Sequence, residues 1–449
     1  YIPNSEEDIR SMLETIGVES IEQLFESIPD AVKITNGLDL PESWSEIELR
    51  RWIADTAARN KTAAEASTFM GAGAYQHYQP ACVDQLLLRS EFLTAYTPYQ
   101  PEVSQGTLQA IYEYQTHQSL LTGLDVANAS LYDGSTAFVE AVLMAARVAK
   151  KKNRLVASRS IHPEYLETLR TYIRNLDIEL VLVGWSPETG RVDLDELRDA
   201  VDESTFAVAI QSPNFFGVIE QYDAIRDIAD EVEALKIAVA TEATSLGILS
   251  PPGAHGFDIA CGEGQAWGIP PQFGGPYVGF LVAREDLKRH MPGRLAGETV
   301  DVDGKRAFVL TLATREQHIR RGKATSNICT NQALIALAAN IYLSLMGKTG
   351  LREVGLQCLH KAAYLRENLA SLDGVEIPLS GPVYNEFVVR TPKKAIWVLE
   401  EMANRDILAG VELSRYFEGH DNDFLVAVTE LNTREQIDRY VDALKNVLV

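Results

Sequence analysis

Short β-branched runs alternate with amphipathic stretches between about residues 128 and 283. The runs lack polar alternation, which is typical of strands buried on both faces of a parallel sheet. Seven strands are predicted, at Ala129–Tyr132, Arg154–Ala157, Leu180–Gly184, Phe206–Gln211, Ile237–Ala240, Ile259–Gly262 and Val278–Ala283. Helices are predicted between them at Thr136–Ala149, Pro163–Asn175, Leu194–Val201 and Ala224–Leu235. We therefore predict an α/β domain with a mainly parallel seven-stranded sheet covered by helices.

The pattern differs at both ends of this segment. Three capping-box patterns precede apolar residues at helical spacing, at Ser5 to Asp8, Ser20 to Gln23 and Ser43 to Glu46, and they predict a helical N-terminal arm over residues 1–65. A long helix is predicted from Asn331, interrupted at Gly347 and Gly350 and resuming to Leu369. The remaining elements alternate between strand and helix, at Glu386–Val389, Ala395–Asn404, Leu425–Val428 and Arg434–Val447. Residues 331–449 are thus predicted to form a small α+β domain beside a large domain over 66–330.

Charge and composition narrow the functional classes. Lys plus Arg total 41 against 63 Asp plus Glu, a net charge of −22 that disfavours binding to nucleic acid and to anionic membranes. No apolar run approaches the roughly 20 residues of a membrane-spanning helix. The four cysteines, Cys82, Cys261, Cys329 and Cys358, form no C-x-x-C pair. With no histidine pair at i,i+4 spacing either, we predict no metal site and a cytoplasmic location.

Two glycine-containing segments are candidates for phosphate binding. Gly262–Gly268 follows a predicted strand, but Pro270 and Pro271 exclude the helix whose N-terminus a dinucleotide site requires. Asp133–Thr136 follows the first predicted strand and opens a predicted helix with small residues and hydroxyls. It is either a phosphate-binding turn or an ordinary helix cap, and the sequence leaves both interpretations open.

Two further segments carry polar groups in non-helical sequence. Arg320–Asn327 combines three cations with two hydroxyls and an amide, which suits either an anion such as phosphate or a solvated turn. The stretch from Tyr96 to Glu102 contains two prolines, so its two tyrosines are expected on an extended loop.

Three segments together resemble the P-protein of the glycine cleavage system. They are Gly71–Tyr75, Thr94–Gly106 and Lys323–Thr330, of which the Tyr-Thr-Pro-Tyr-Gln-Pro-Glu stretch at 96–102 is the most specific. The similarity runs essentially end to end with the first subunit of the two-subunit bacterial form. It implies fold type I of pyridoxal-phosphate (PLP) enzymes, with a large α/β domain and a small C-terminal domain. It also implies decarboxylation of glycine and transfer of the aminomethyl group to the lipoyl arm of the H-protein.

Within this resemblance, Gln265 replaces the lysine that forms the Schiff base with PLP. A glutamine amide cannot form an imine, so the resemblance implies that PLP is carried by a second subunit, in an assembly of two copies of each. Glu242 lies near the position of the carboxylate that contacts the pyridine nitrogen, and we expect it to be structural.

The resemblance also implies that this chain acts on the partner's site, because type I sites lie at the dimer interface. The residues expected to reach the phosphate of the partner's PLP are Thr325, Ser326 and Asn327. Those expected to line the cleft for glycine or for the lipoyl arm are Tyr96, Tyr99 and Gln100. Two other interpretations stay open: a catalytically silent scaffold that docks the H-protein, and an independent PLP enzyme that uses another lysine such as Lys323.

Overall fold

A computed structural model describes residues 3–34, 37–63, 65–94, 96–149, 151–328 and 330–449. Cys329 and Tyr1 lie outside the described residues. The chain divides into two compact units, Tyr1–Lys61 and Thr62–Val449. The boundary predicted after residue 330 stays a prediction.

The helices and strands alternate through most of the second unit. The helices are α1 (Glu6–Ile16), α2 (Glu46–Ala57), α3 (Ala81–Leu87), α4 (Gln105–Thr122), α5 (Gly134–Val148), α6 (Pro163–Ile173), α7 (Leu194–Ala200), α8 (Tyr222–Asp230), α9 (Gln317–Arg320), α10 (Ala333–Ala370), α11 (Ala395–Ala403) and α12 (Arg434–Leu448). The strands are β1 (Ser67–Thr68), β2 (Val126–Ala127), β3 (Arg154–Ser158), β4 (Glu179–Val183), β5 (Thr205–Gln211), β6 (Leu235–Ala240), β7 (Ile259–Glu263), β8 (Gly279–Ala283), β9 (Leu295–Val300), β10 (Arg306–Thr311), β11 (Glu386–Arg390), β12 (Ile407–Leu408), β13 (Val411–Glu412) and β14 (Asp423–Ala427).

The first unit contains α1 and α2 with two short 3₁₀ turns between them. Ser5 caps α1 in a capping box with Asp8, as the sequence predicts. The box predicted at Ser43 is wrong by two residues, because α2 begins at Glu46 and Ser45 is therefore its cap.

The capping box predicted at Ser20 is also wrong. The element that follows is a single 3₁₀ turn, Glu22–Phe25, which has no side-chain cap. The side chain of Gln23 instead accepts a hydrogen bond from the N–H of Glu19 at 2.7 Å. One turn supplies too few free N–H groups for the predicted box to form.

A seven-stranded sheet organises the second unit, in the order β2-β8-β7-β6-β5-β3-β4. Strands β4, β3, β5, β6 and β7 pair in parallel, whereas β8 pairs antiparallel with β7 and with β2. The predicted mainly parallel α/β sheet is confirmed. Its residues alternate between two cores: Val208 and Ala238 face one side with α8 and α10, while Ala207 and Ile237 face the other side with α5 and α6.

The first predicted strand is the one that differs most from the structure. Pairing occurs at Val126–Ala127, and in the predicted range Ala129–Tyr132 only Leu131 forms a bridge, to Gly279. The chain leaves the ladder there because the Ala129 N–H donates to the Arg294 carbonyl at 2.8 Å and Ser130 has a φ of 133°.

The hairpin β9–β10 and helix α4 are elements that the sequence patterns did not predict. Only the first two residues of β9 are buried, so the hairpin has little hydrophobic alternation. Gln105, the first residue of α4, clamps the hairpin by donating to the Phe308 carbonyl at 2.9 Å and accepting from its N–H at 2.8 Å.

The C-terminal elements form a second, smaller layer. Strands β11, β14 and β13 make an antiparallel sheet, and α11, α12 and the end of α10 cover it around a separate core. The strand and helix positions predicted for this region are confirmed to within two residues at each end.

Helix α10 connects the two cores. It contains the predicted break at Gly347, which has φ 56° and ψ −172°, whereas Gly350 stays helical. Among the described residues it is the one helix long and apolar enough to cross a membrane by length and composition. Its apolar residues include Ala339 and Leu365, which are fully buried in the two cores, as expected of a core helix.

Candidate functional site

The carboxyl ends of β5, β6 and β7 meet the N-terminus of α5 at one edge of the large sheet. Ligands of doubly wound α/β folds bind at this edge, because loops rather than strands cover it. The polar residues at or just after these strand ends are buried: Gln211, Thr241, Glu242, Glu263 and Gln265. The candidate site is therefore a buried polar pocket, and its hydrogen bonds decide what it can hold.

Gln265 stands at the predicted lysine position and is 1% exposed. Its side-chain oxygen accepts the N–H of Tyr75 at 2.9 Å. Its amide nitrogen donates to the carbonyl oxygens of Tyr75, at 2.9 Å, and Ile269, at 2.5 Å. The amide therefore both accepts and donates hydrogen bonds to the surrounding backbone. A lysine ammonium has no acceptor and could not form the same set of bonds.

Glu263 closes the N-terminus of α5. Its carboxylate accepts hydrogen bonds from the N–H groups of Gly134 at 2.9 Å, Val278 at 3.0 Å and Gln265 at 3.0 Å. Burial raises the pKa of Glu263 to about 8, although the three N–H donors favour the charged form and oppose this rise. The Gly134 N–H is one of the free helix-terminal groups that a bound phosphate would use.

The rest of this helix terminus is also filled. Asp133 caps α5 by accepting the Thr136 N–H at 2.8 Å, and a Cβ atom on Gly134 would overlap the Tyr165 hydroxyl. Of the two interpretations of Asp133–Thr136, the helix cap is the one that the geometry favours. With a glutamine at the lysine position and a carboxylate at the phosphate position, the residues of this pocket do not fit PLP.

The segment 71–77 occupies the same pocket. The N–H of Ala72 donates to Glu386 at 2.7 Å, and the Tyr75 hydroxyl donates to the other oxygen of Glu386 at 2.9 Å. Burial raises the pKa of Glu386 to about 7. The shape of this segment depends on Gly71, where a Cβ atom would overlap the Glu386 carboxylate. Sequence patterns predicted Glu386 as the start of a strand, β11, but gave no sign that it would contact this segment more than 300 residues away.

Glu242 is held by other side chains, so it has no free carboxylate for a cofactor. One oxygen accepts from the Thr244 N–H at 2.9 Å, and the other is 2.9 Å from His77 Nε2. The second ring nitrogen of His77 is 2.8 Å from Glu430. Burial opposes a charge on His77, but the two carboxylates raise its pKa well above the usual value. This arrangement supports the expected structural role of Glu242.

His77, Cys358 and Glu430 place their ligand atoms within 4.8 Å of one another. Sequence spacing did not indicate this group because its members come from distant parts of the chain. The Cys358 thiol donates to Glu430 at 3.5 Å, and His77 is bonded to carboxylates on both sides. The polar atoms thus satisfy one another without an ion.

The loop that contains the predicted phosphate donors lies apart from this pocket, beside α5. Thr325 and Ser326 are partly exposed and Asn327 is exposed, bordering a cleft of about 490 Å³. The Ser326 hydroxyl donates to Glu140 at 2.7 Å, which anchors the loop to α5. The Thr325 N–H donates to the Arg315 carbonyl at 3.1 Å, which leaves the Thr325 hydroxyl as the group that can bind a ligand.

The predicted cleft residues lie on an adjoining loop. Tyr99 is half-exposed, its hydroxyl hydrogen-bonds to Arg294, and the Arg294 guanidinium lies 5.0 Å from its ring centroid. Arg294 in turn pairs with Glu316 at 3.3 Å, next to the Arg315 that holds Thr325. Tyr96 is 74% exposed and Gln100 is exposed. The structure therefore links these two predicted groups with each other, whereas the hydrogen bonds of Gln265 go to the 71–77 segment.

Comparisons with known proteins cover nearly the whole chain. A family model described as glycine cleavage system P-protein matches residues 1–444. A Moorella thermoacetica protein named probable glycine dehydrogenase (decarboxylating) subunit 1 is 48% identical over 100% of this chain and 99% of its own. A Carboxydothermus hydrogenoformans protein of the same name is also 48% identical, over 99% of each chain.

Solved structures give the same fold. A crystal structure of glycine decarboxylase (P-protein) in inhibitor-bound form matches with a TM-score of 0.91 and 42% identity, over 100% of both chains. A sphingosine-1-phosphate lyase of Burkholderia pseudomallei matches with a TM-score of 0.68 over 94% of both chains, at 16% identity. The second match shows the fold alone, which is fold type I of PLP enzymes.

Proposed function

Because the chain belongs to the glycine cleavage system P-protein family, we propose that it completes the active site of a PLP-carrying partner subunit. The enzyme of which it is a part is glycine dehydrogenase (decarboxylating). The observation that carries the proposal is the contrast between a closed pocket at Gln265 and an accessible donor loop at Thr325. The chain forms the outer part of a site whose lysine stands on the second subunit.

The proposed assembly contains two copies of each subunit in the cytoplasm and delivers the aminomethyl group of glycine to the lipoyl arm of the H-protein. PLP on the partner supplies the electron sink that glycine decarboxylation requires. This chain contributes hydrogen-bond donors and shape. Thr325 and Asn327 border the cleft beside helix α5, while Ser326 uses its hydroxyl to hold the loop on Glu140.

The second contribution is the wall of the reaction cleft. Tyr96 and Tyr99 stack edge to face with ring centroids 6.0 Å apart. The hydroxyl of Tyr99 is used by Arg294, so Tyr99 fixes the loop, and Tyr96 and Gln100 present their side chains to glycine or to the lipoyl arm. This division of roles follows from which side chains are already hydrogen-bonded within the chain.

Thr325→Ala in the reconstituted two-subunit complex tests the proposal. Loss of one phosphate contact should weaken PLP retention by about 5- to 160-fold, from roughly 1–3 kcal/mol. The measurement is the PLP dissociation constant of the complex, followed by its absorbance. Thr330→Ala, an exposed threonine five residues further on, is the matched control and should retain PLP normally.

Equal PLP affinity in the two variants, with unchanged glycine–bicarbonate exchange, would favour the scaffold function instead. A borohydride-reducible PLP adduct on this subunit in isolation would favour an independent PLP enzyme and would contradict the proposal.

A further inference from the structure

The buried group formed by His77, Cys358 and Glu430 offers the three kinds of ligand that zinc prefers in proteins: an imidazole nitrogen, a thiol sulfur and a carboxylate oxygen. The side chains of His77 and Glu430 are 2% and 10% exposed, and Cys358 is fully buried. They belong to the segment 71–77, to helix α10 and to the loop after β14. The sequence prediction of no metal site rests on spacing along the chain, and it therefore does not bear on this group.

The distances within the group are close to those of a tetrahedral zinc site. The Cys358 sulfur lies 3.5 Å from Glu430 Oε2, and His77 Nδ1 lies 2.8 Å from the same oxygen. Zinc–ligand bonds of about 2.0–2.3 Å at tetrahedral angles separate a nitrogen or sulfur ligand from an oxygen ligand by about 3.3–3.6 Å. The sulfur and the oxygen already have this separation, and the nitrogen needs to move by about 0.5 Å.

Glu242 holds the imidazole in the orientation that a metal ligand requires. Its carboxylate lies 2.9 Å from His77 Nε2, while Glu430 lies beside the other ring nitrogen. Because an ionised carboxylate only accepts hydrogen bonds, Nε2 carries a proton and Nδ1 is the nitrogen that can bind an ion. Metal-binding histidines almost always donate their second N–H in this way, which fixes the ring and raises its basicity.

The Tyr342 hydroxyl is an independent indication that the group accepts a ligand. Tyr342 is fully buried, and its hydroxyl has no hydrogen-bond partner among the described residues. Burial raises its pKa, and the groups whose charges act on it are His77, Glu430, Glu242 and Cys358, so the hydroxyl lies close to the cluster. Buried hydroxyls nearly always have a partner. A zinc ion with three protein ligands also binds a water molecule, and that water supplies the partner.

Binding of Zn²⁺ leaves the charge of the buried group unchanged. Before binding, His77 carries a proton on each ring nitrogen, because each nitrogen faces a carboxylate, and Cys358 is a thiol. Zn²⁺ displaces the Nδ1 proton and the thiol proton to solvent, so two positive charges enter and two leave. A buried ion is costly unless its charge is compensated, and here the compensation is complete. We infer that His77, Cys358 and Glu430 form a zinc site.

The consequence of this site is a firmer closure of the pocket at Gln265. The segment 71–77 fills that pocket, where Tyr75 bonds to Gln265 and to Glu386. A zinc ion would tie this segment to α10 and to the C-terminal layer through His77 at the segment's end. The inference goes beyond the proposed action on the partner, which depends on the Thr325 loop and not on this group.

The test compares two alanine substitutions at fully buried cysteines. Cys358→Ala removes a ligand, and Cys261→Ala, in β7, is the matched control outside the group. Each full-length chain is stripped of metal with a chelator and titrated with zinc chloride in the presence of a competing zinc indicator. The unaltered chain and Cys261→Ala should bind one Zn²⁺ per chain, and Cys358→Ala should bind it at least about 100-fold more weakly. Zinc should raise the melting temperature of the first two proteins only.

Cobalt provides a second measurement that does not depend on the folding of Cys358→Ala. In a chain with alanine at Cys82, Cys261 and Cys329, Cys358 is the one thiol left. Co²⁺ should give this chain a thiolate-to-cobalt charge-transfer band, and an equivalent of Zn²⁺ should abolish the band. A chain without the band would overturn the inference. Equal zinc affinity in Cys358→Ala and Cys261→Ala would also overturn it, because the ion would then be bound elsewhere.

Discussion

The pocket at Gln265 and the loop at Thr325 contain similar polar groups but use them in opposite ways. In the pocket, the polar side chains form hydrogen bonds with this chain's own backbone and with the Tyr75 hydroxyl; they belong to Gln265, Glu263 and Glu386. In the loop, Ser326 is hydrogen-bonded to Glu140 and Asn327 accepts from Gln317 at 3.2 Å, whereas the Thr325 side chain borders the open cleft. A pocket whose donors and acceptors are satisfied from within has none left for a cofactor, and the open loop is the region that we propose acts on a partner.

Helix α5 contacts both regions, one at its N-terminus and the other near its middle. Helix α5 has its N-terminus in the closed pocket, where Glu263 accepts the Gly134 N–H. Two turns further along, Glu140 on the same helix holds Ser326 of the open loop. A largely buried helix thus connects the closed pocket with the region proposed to act on the partner.

The largest expected effect comes from restoring the missing lysine. Gln265→Lys removes the acceptor of the Tyr75 N–H and buries an ammonium group with only carbonyl partners, so the free energy of unfolding should fall by about 3–5 kcal/mol. We also expect no reducible PLP adduct on this subunit, because Glu263 fills the phosphate position. Chemical denaturation and borohydride reduction measure the two effects.

The control for this change is Gln272→Lys, which makes the same substitution at an exposed position and should alter stability by less than about 0.5 kcal/mol. If Gln265→Lys retained full stability and formed a reducible PLP adduct, the pocket would have room for PLP, and the conclusion that its residues do not fit the cofactor would be wrong.

The second effect is a pH dependence of stability that arises in the closed pocket. Burial raises the pKa of Glu386 from 4.5 to about 7, so the folded protein binds a proton here that the unfolded chain has lost. Stability from this group is therefore greatest below pH 4.5 and decreases as the pH rises to 7, by about 3 kcal/mol.

Glu386→Gln should remove that slope, because the amide does not titrate while its oxygen can still accept the Ala72 N–H. The measurement is the free energy of unfolding of both proteins at intervals between pH 4.5 and 8. An unchanged difference between the two proteins across this range would show that Glu386 titrates normally.

The sequence predicted elements that depend on local or periodic patterns. It missed residues whose hydrogen-bond partners lie far away along the chain. The strands Thr205–Gln211 and Ile259–Glu263 were predictable because burial on both faces leaves an unbroken apolar run. Gln265 was found through the resemblance. Glu386 and Glu430 were not predictable, because each becomes part of the pocket only when the C-terminal layer packs on segment 71–77.

Errors in the local predictions have equally local causes. Ser43 and Ser45 both precede a glutamate by three residues, so spacing alone does not choose between them. The first strand was misplaced because Ala129–Leu131 is buried, yet the Ala129 N–H donates to the Arg294 carbonyl outside the sheet. An apolar sequence pattern predicts that a residue is buried, but it does not predict which group its backbone N–H will bond to.

The smallest effect concerns the hydrogen bond between Ser326 of the loop and Glu140 of α5. Ser326→Ala leaves the Glu140 carboxylate without a hydrogen bond at 3% exposure, so the free energy of unfolding should fall by about 1–2 kcal/mol. In a double-mutant cycle with Glu140→Leu, which removes the buried carboxylate, the two losses of stability should not add, and we expect a coupling of about 1 kcal/mol.

Thr325→Ala in the same loop should change stability by less than about 0.5 kcal/mol, since its hydroxyl is proposed to serve the partner. Additive effects in the cycle would contradict this interaction, because the Ser326 hydroxyl would then contribute no more to stability than that of Thr325. Coupling in stability at Ser326, together with loss of PLP retention at Thr325, would assign the two neighbouring hydroxyls to the two different roles.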